Sequence, residues 1–142
     1  MRKYLLSLAL VAAPAMAAGD IVMHRDPGCG CCEAWVAQVA KEFGQAVKIV
    51  DDPNRASLHK RLGMQPRLAS CHTAIIAGVA FEGHVPIADM KRVLAKRPAS
   101  VAGLSVPGMP IGSLGMEVPG RVPDKYAVIA FGAWKAAVFA QR

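Results

Sequence analysis

The residues best able to do chemistry in this chain are its four cysteines, Cys29, Cys31, Cys32 and Cys71. The first three share the motif Cys29-Gly30-Cys31-Cys32, and the last opens Cys71-His72. Cys29 and Cys32 have CxxC spacing, which fits either dithiol redox chemistry or metal binding. Cys31 shifts that balance. Its Cα lies ~3.8 Å from that of Cys32, below the ~4.4–6.8 Å usual for a disulfide, so a bond between these neighbours would be strained. A Cys29–Cys32 bond is reasonable, but it leaves Cys31 to find Cys71 or to stay free. Full oxidation into structural disulfides is the alternative for an exported domain. Metal occupancy answers the problem of an exposed free thiol, because thiolates are soft ligands that favour Cu(I) and other thiophilic ions. A single Cu(I) held by all the thiolates would carry excess negative charge, which is costly away from water. Sulfurs that bridge several Cu(I) ions would neutralise the site, and the adjacent Cys31 and Cys32 suit such a cluster.

Other soft or imidazole donors lie at suggestive places. His72 follows Cys71 directly, and His84 stands in Gly83-His84-Val85-Pro86, where the end of a strand lets a ligand project. A lone histidine is more often a surface or hydrogen-bonded residue. Methionine is usually core filler, but Met109 and Met116 fall in a Gly/Pro-rich stretch without helical period. Their thioethers would serve as Cu(I) ligands or as a lid. The candidate metal set is therefore Cys29, Cys31, Cys32, Cys71, His84, Met109 and Met116, with His72 beside them. His24, His59, Met23, Met64 and Met90 sit on or beside regular elements and read as structural.

Those side chains need elements to carry them. Asp20 to His24 is a short apolar strand candidate, and Arg25-Asp26-Pro27-Gly28 a turn into the cysteines. Trp35, Val39 and Phe43 at i, i+4, i+8, with Val36 and Ala40 beside them, predict a helix that Gly44 closes. The N-terminus of that helix would stabilise a thiolate, with Arg25 adding to the effect. Val47 to Val50 reads as a second strand. Asp51-Asp52-Pro53-Asn54 opens a short helix carrying Leu58 and Leu62, stopped by Gly63. Leu68 to Ala77 and Val79 to Glu82 read as strands joined at Ala77-Gly78. Pro86 sits in the first turn of a third helix, with Ile87, Met90 and Leu94 inward and Lys91, Arg92, Lys96 and Arg97 toward its C-terminus. Residues 98–125 are rich in Gly and Pro and read as an extended loop, of a length that is usually functional or disordered. Tyr126 to Phe131 and Ala136 to Phe139 close the chain as strands around Gly132. The order strand, cysteine turn, helix, strand, helix, two strands, helix predicts an α/β, thioredoxin-like fold with an extended Gly/Pro/Met loop near the C-terminus.

The start of the chain reads as a targeting segment. Arg2 and Lys3 precede the apolar run Tyr4 to Ala13, and Ala15-Met16-Ala17 supplies the small-x-small pattern that signal peptidase reads. Residues 1–17 are therefore expected to be a signal peptide and 18–142 a single metal-binding domain, exported to the periplasm. An uncleaved anchor is the alternative. The apolar run is too short to span a bilayer, so the mature chain is expected to leave the membrane. Removing Arg2 and Lys3 takes the formal charge from +7 to +5. Lys60-Arg61 and Lys91-Arg92 fall on predicted helices as solvated faces. Nucleic-acid binding would need a basic stripe interleaved with aromatics, which the sequence lacks.

Taken in order and spacing, Cys29–Cys32, Ser70-Cys71-His72-Thr73, Gly83-His84-Val85-Pro86 and the stretch 107–117 resemble a bacterial periplasmic family. Its members are CopG-like metal-binding or copper-resistance proteins, long a domain of unknown function. The resemblance covers nearly all of the mature chain. It implies a thioredoxin-like fold with an extended loop, a cysteine-bridged multinuclear copper site, and a role in copper tolerance with redox handling of copper. Carried onto this chain, it assigns the thiolates to Cys29, Cys31, Cys32 and Cys71 and places His84, Met109 and Met116 near the site. Two departures stand out. This chain has Gly63-Met64-Gln65-Pro66 where the family tends to have Gly-Val-Pro, so Pro66 need not be the cis-proline that thioredoxin-like folds place opposite the CxxC. The terminal turn is Gly132-Ala133-Trp134-Lys135, without the usual Asp-Gly.

The leading expectation is a metal-binding protein, with other periplasmic copper-handling proteins as partners. A periplasmic thiol–disulfide oxidoreductase working through Cys29 and Cys32 is the alternative; dithiol exchange has no need of Cys31, Cys71-His72 or the Met-bearing loop. A mononuclear structural zinc site is a third reading, less suited to adjacent cysteines and thioethers.

Overall fold

Residues 19–142 are described by a computed structural model; the expected signal peptide, residues 1–17, lies outside them. Strand β1, Ile21–Arg25, turns Ile21 and Met23 into the core, as period-two alternation requires. Helix α1, Cys31–Phe43, buries Cys32, Trp35 and Val39 along one stripe, and Gly44 ends it in the left-handed conformation at φ 62°. β2, Val47–Asp51, returns parallel to β1. The short α2, Arg55–Arg61, leads to β3, His72–Ile76, which forms a hairpin with β4, Val79–Glu82. α3, Ile87–Ala95, precedes β5, Gly103–Ser105; β6, Ala127–Gly132, and β7, Lys135–Gln141, form the closing hairpin.

The strands make one mixed sheet of seven, ordered β2-β1-β3-β4-β5-β6-β7. The fold is thus mixed α/β. Side chains alternate between the two faces. On one face Met23, Ala74, Phe81 and Leu104 meet Trp35 and Val39 of α1 and Met90 and Val93 of α3 in the main core. On the other, Met64, Leu68, Ala80 and Phe131 form a smaller core beside α2. None of the described helices is long and apolar enough to cross a membrane.

Register decides where chemistry can happen. Arg25 pairs with His72, Thr73 with Glu82, and Glu82 with Ser105. The C-terminal ends of β1, β4 and β5 and the N-terminal end of β3 therefore meet at one end of the sheet. Every cysteine belongs to a segment leaving or entering that end.

The structure departs from the sequence reading in three places. Leu68 to Cys71 is not strand: Pro66–Leu68 forms a 3-10 turn, and β3 starts only at His72. Pro66 has no N–H to give a ladder, and the Ser70 N–H goes to the Glu82 carboxylate at 2.7 Å. β5 lies inside the expected 98–125 loop. It is too short to show alternation, and it needs Gly103, where a Cβ would stand 2.2 Å from the Ala80 carbonyl oxygen. Helix α3 stops at Ala95, and beyond it the Arg97 guanidinium donates to the Gly78 carbonyl at 2.9 Å. At the last hairpin Ala133 and Trp134 take φ 45° and 64°, a conformation that side chains disfavour. No peptide bond of the described residues is cis, Pro66 included.

Candidate metal centre

The cysteine turn is built from local bonds. Gly28, at φ 77°, allows the chain to reverse after Pro27, and the Cys29 N–H donates to the Asp26 carbonyl at 3.2 Å. Cys31 and Cys32 are then the first residues of α1. The Asp26 N–H donates to the Cys71 carbonyl at 3.1 Å, joining the turn to the approach of β3. As a result the sulfurs of Cys29, Cys31, Cys32 and Cys71 all lie within 4.8 Å of one another. Cys29 and Cys32 are disulfide-bonded, while Cys31 and Cys71 are free and half-buried. Cys31 Sγ stands 3.3 Å from Cys29 Sγ, and Cys32 Sγ 3.7 Å from Cys71 Sγ.

Two buried histidines back this cluster. His84 Nδ1 lies 2.8 Å from the Leu114 carbonyl oxygen, which can only accept, so Nδ1 carries the proton. That leaves the Nε2 lone pair facing Cys71 Sγ at 3.3 Å. Such fixing of the outer ring nitrogen is how ligating imidazoles are usually oriented. His72 Nδ1 lies 3.4 Å from Cys71 Sγ and 3.5 Å from Cys32 Sγ. Its Nε2 has no polar partner among the described residues, and its ring packs 4.6 Å from Trp35 and 5.1 Å from His84.

The Gly/Pro-rich segment covers the cluster from above. Ser70 donates its hydroxyl to the Gly108 carbonyl, which sets Met109 over α1. Met109 Sδ is 4.0 Å from Cys31 Sγ while the residue stays 53% exposed. Further on, Gly115, at φ 82°, presses so close that a Cβ would stand 2.7 Å from the Trp35 nitrogen. Met116 lies in the turn beside it: its N–H donates to Ser113 and its carbonyl accepts from Gly112. The Met116 sulfur has no hydrogen-bonded contact with a thiol among the described residues. Arg25 is placed elsewhere than at a sulfur. Its guanidinium meets the Asp51 and Glu33 carboxylates and the Cys29 carbonyl.

Burial governs the electrostatics. It pushes the Cys71 thiol up to about 12, with the neighbouring Cys31 adding to the rise. It pulls His72 down to about 3, with His84 and Arg55 also disfavouring its charge. It lowers His84 as well, against the hydrogen bond to Leu114. The site thus holds neutral imidazoles beside protonated sulfur until something positive arrives.

Beneath the sheet lies a group that sequence reasoning missed. Glu82 is fully buried, and its carboxylate accepts from the Ser70 N–H, Thr73, Arg55 at 3.2 Å and His59 at 3.2 Å. A buried carboxylate left without such partners would cost about 3–5 kcal/mol. Arg55 Nε and Nη2 also reach the two Asp26 carboxylate oxygens at 3.0 Å each. Burial works against the Arg55 charge, but the hydrogen bond to Asp26 and the charges of Glu82 and Asp26 hold its pKa above the ordinary value. The one local signal was a carboxylate at the inward position of an otherwise apolar strand, Val79 to Glu82; nothing local named its partner on α2.

The donor set can be tested against what it would hold. Sulfur from four cysteines, a thioether and an imidazole lone pair fit a soft, thiophilic cation and fit a hard, oxygen-seeking one poorly. A surface groove of about 420 Å³ lies between α2 and the Trp134 turn, away from the sulfurs. A metal centre wrapped by its ligands needs no open groove. Two-electron reduction of the Cys29–Cys32 bond, with two protons, would bring the available thiols from two to four.

Comparison with known proteins shows the family of the chain. The family described as "Protein of unknown function, DUF411" matches residues 68–116, the segment that runs from before Cys71 to Met116. No curated protein matches the chain. Two solved structures, Copper resistance protein copG in Form 1 and Form 2, are each 37% identical to it. They superpose with TM-scores of 0.77 and 0.76, over 87% of this chain and 96% and 97% of theirs. The chain belongs to the CopG family of copper resistance proteins.

Proposed function

We propose that this chain is an exported, periplasmic protein that holds several Cu(I) ions through Cys29, Cys31, Cys32 and Cys71, on a thioredoxin-like scaffold, in the service of copper tolerance. The observation that carries this reading is the convergence of four cysteine sulfurs within 4.8 Å at one end of the sheet. The Met109 thioether and the His84 Nε2 lone pair stand at its rim, 4.0 and 3.3 Å from the nearest sulfur. The relatives are copper resistance proteins, and the N-terminal sequence pattern supports export. Thiolate bridging between Cu(I) ions keeps the charge of the centre low in a buried place. His72 contributes from behind, and Met116 belongs to the flap that closes over the site. The form that binds copper is the reduced one, since a disulfide leaves Cys29 and Cys32 without thiolates.

A second reading is favoured by one observation, the Cys29–Cys32 bond at the N-terminus of α1. That is the placement of a thiol–disulfide oxidoreductase. Cys31→Ser separates the two. Copper binding predicts that the reduced variant loses most of its copper per chain while insulin disulfide reduction is nearly unchanged. Unchanged copper stoichiometry in Cys31→Ser would overturn the bridged-cluster reading.

A further inference from the structure

Arg55 touches more than neutralising Glu82 requires. Its Nη1 lies 3.2 Å from Glu82, its Nε and Nη2 each 3.0 Å from Asp26, and Nη2 also donates to the Ser70 carbonyl. These contacts have a common sense in the sequence. Asp26 stands three residues before Cys29, Ser70 directly before Cys71, and Glu82 two residues before His84. One guanidinium on α2, on the opposite face of the sheet from α1, thus grips all three segments that bring the cysteines and His84 together.

We propose that Arg55 is a positioning residue for the cysteine centre, fixing the Cys29 turn, Cys71 and His84 at their separations. Its consequence for copper rests on the function proposed above, whereas its geometric part does not. Asp26 is 58% exposed, so its ion pair adds little to stability alone. What the pair does is hold the Asp26 side chain on one side of the Asp26 N–H bond to Cys71, while the Ser70 contact holds the other. The rigid planar fork of Arg presents separate nitrogens to these three partners, whereas a lysine ammonium offers its donors from one compact point. Preorganised donors bind metal more tightly because they need not be gathered at the moment of binding, and outer partners of ligands typically matter by 10–100-fold in affinity.

The test uses the full-length chain with Arg55→Lys and Asp26→Asn. The first keeps a cation beside Glu82, and the second leaves the buried pair whole, so folding survives in at least one. Two quantities are read: Cu(I) retention by the reduced protein against a competing chelator, and hydrogen exchange of the residue-26 amide relative to the β3 amides. In Arg55→Lys retention falls by about tenfold, and the residue-26 amide exchanges faster while β3 holds. Asp26→Asn moves both quantities the same way by less. Wild-type copper retention in both variants overturns the proposal, as does exchange at residue 26 that rises only in step with β3. Should the wild-type chain itself retain no copper, the copper reading fails, and the exchange pattern alone decides whether Arg55 positions the turn.

Discussion

Cys32 and Cys71 are 39 residues apart in the chain, yet their sulfurs stand 3.7 Å from each other. The antiparallel register of β1 and β3 brings this about, since Arg25 opposite His72 sets the cysteine turn against the start of β3. The site that results gives four predictions about how it behaves.

Cys71 will resist alkylation in the folded, metal-free protein. Its pKa is raised from 9.0 to about 12, chiefly by burial, which lowers the thiolate fraction by about 10³ near neutral pH. The thiolate is the reacting form. Timed iodoacetamide labelling at pH 8 followed by peptide mass analysis should show Cys71 at least about 100-fold slower than in the denatured chain. Equal rates would contradict the burial that the structure gives it.

The metal-free protein will lose stability as the solution is acidified, and His72 will account for part of the loss. Its folded pKa of about 3 lies below the ordinary 6.5, so the unfolded chain binds the extra proton between those values. The contribution of the neutral ring is complete above pH 6.5 and is lost as pH falls toward 3, by at most about 1.4 kcal/mol per unit. Denaturant unfolding at pH 7 and pH 5 should show a smaller pH difference in His72→Gln than in the parent chain. An identical difference in both would remove His72 from the account.

Gly115→Val will lift the flap from α1. A side chain there must meet the Trp35 backbone at 2.7 Å and adopt φ 82°, a strained combination of about 1–3 kcal/mol. The carbonyl of Leu114, next in the chain, fixes the His84 tautomer, so the ring loses its orientation too. Limited proteolysis should cut the segment 107–117 faster in the variant, with the sheet intact. Equal cleavage would mean that the flap is not held by this contact.

Oxidation state will gate metal uptake. With Cys29 and Cys32 bonded, Cys31 and Cys71 are the remaining thiols. Protein treated with a mild oxidant and then given Cu(I) should retain well under half the copper of the reduced sample. Equal retention would show that Cys29 and Cys32 are not ligands.

Much of the scaffold was legible because its signals are local. The Trp35, Val39, Phe43 stripe and the Gly44 cap define α1 by themselves, and the CxCC motif marks where the helix starts. Met23, Met64 and Met90 are buried, as their positions on regular elements suggested. What escaped depends on neighbours far along the chain. Leu68 to Cys71 has the apolar look of a strand, but the Glu82 carboxylate takes the Ser70 N–H and the ladder cannot begin. β5 is short and exists because Gly103 fits under Ala80. Arg55 could not be told from a surface arginine, since its value lies in Asp26, Ser70 and Glu82 meeting beneath the sheet. For the site, the cysteine spacing announced a cluster, while the contact of Met109 with Cys31 needed the flap to be seen in place.

The most direct test of the central claim is copper per chain, with a thiol count on the same sample, for protein purified anaerobically from copper-grown cells. A thiolate-bridged Cu(I) centre predicts several coppers per chain and thiols that react only after denaturation and chelation. Copper-free protein in which Cys29 and Cys32 cycle readily between thiol and disulfide would contradict it.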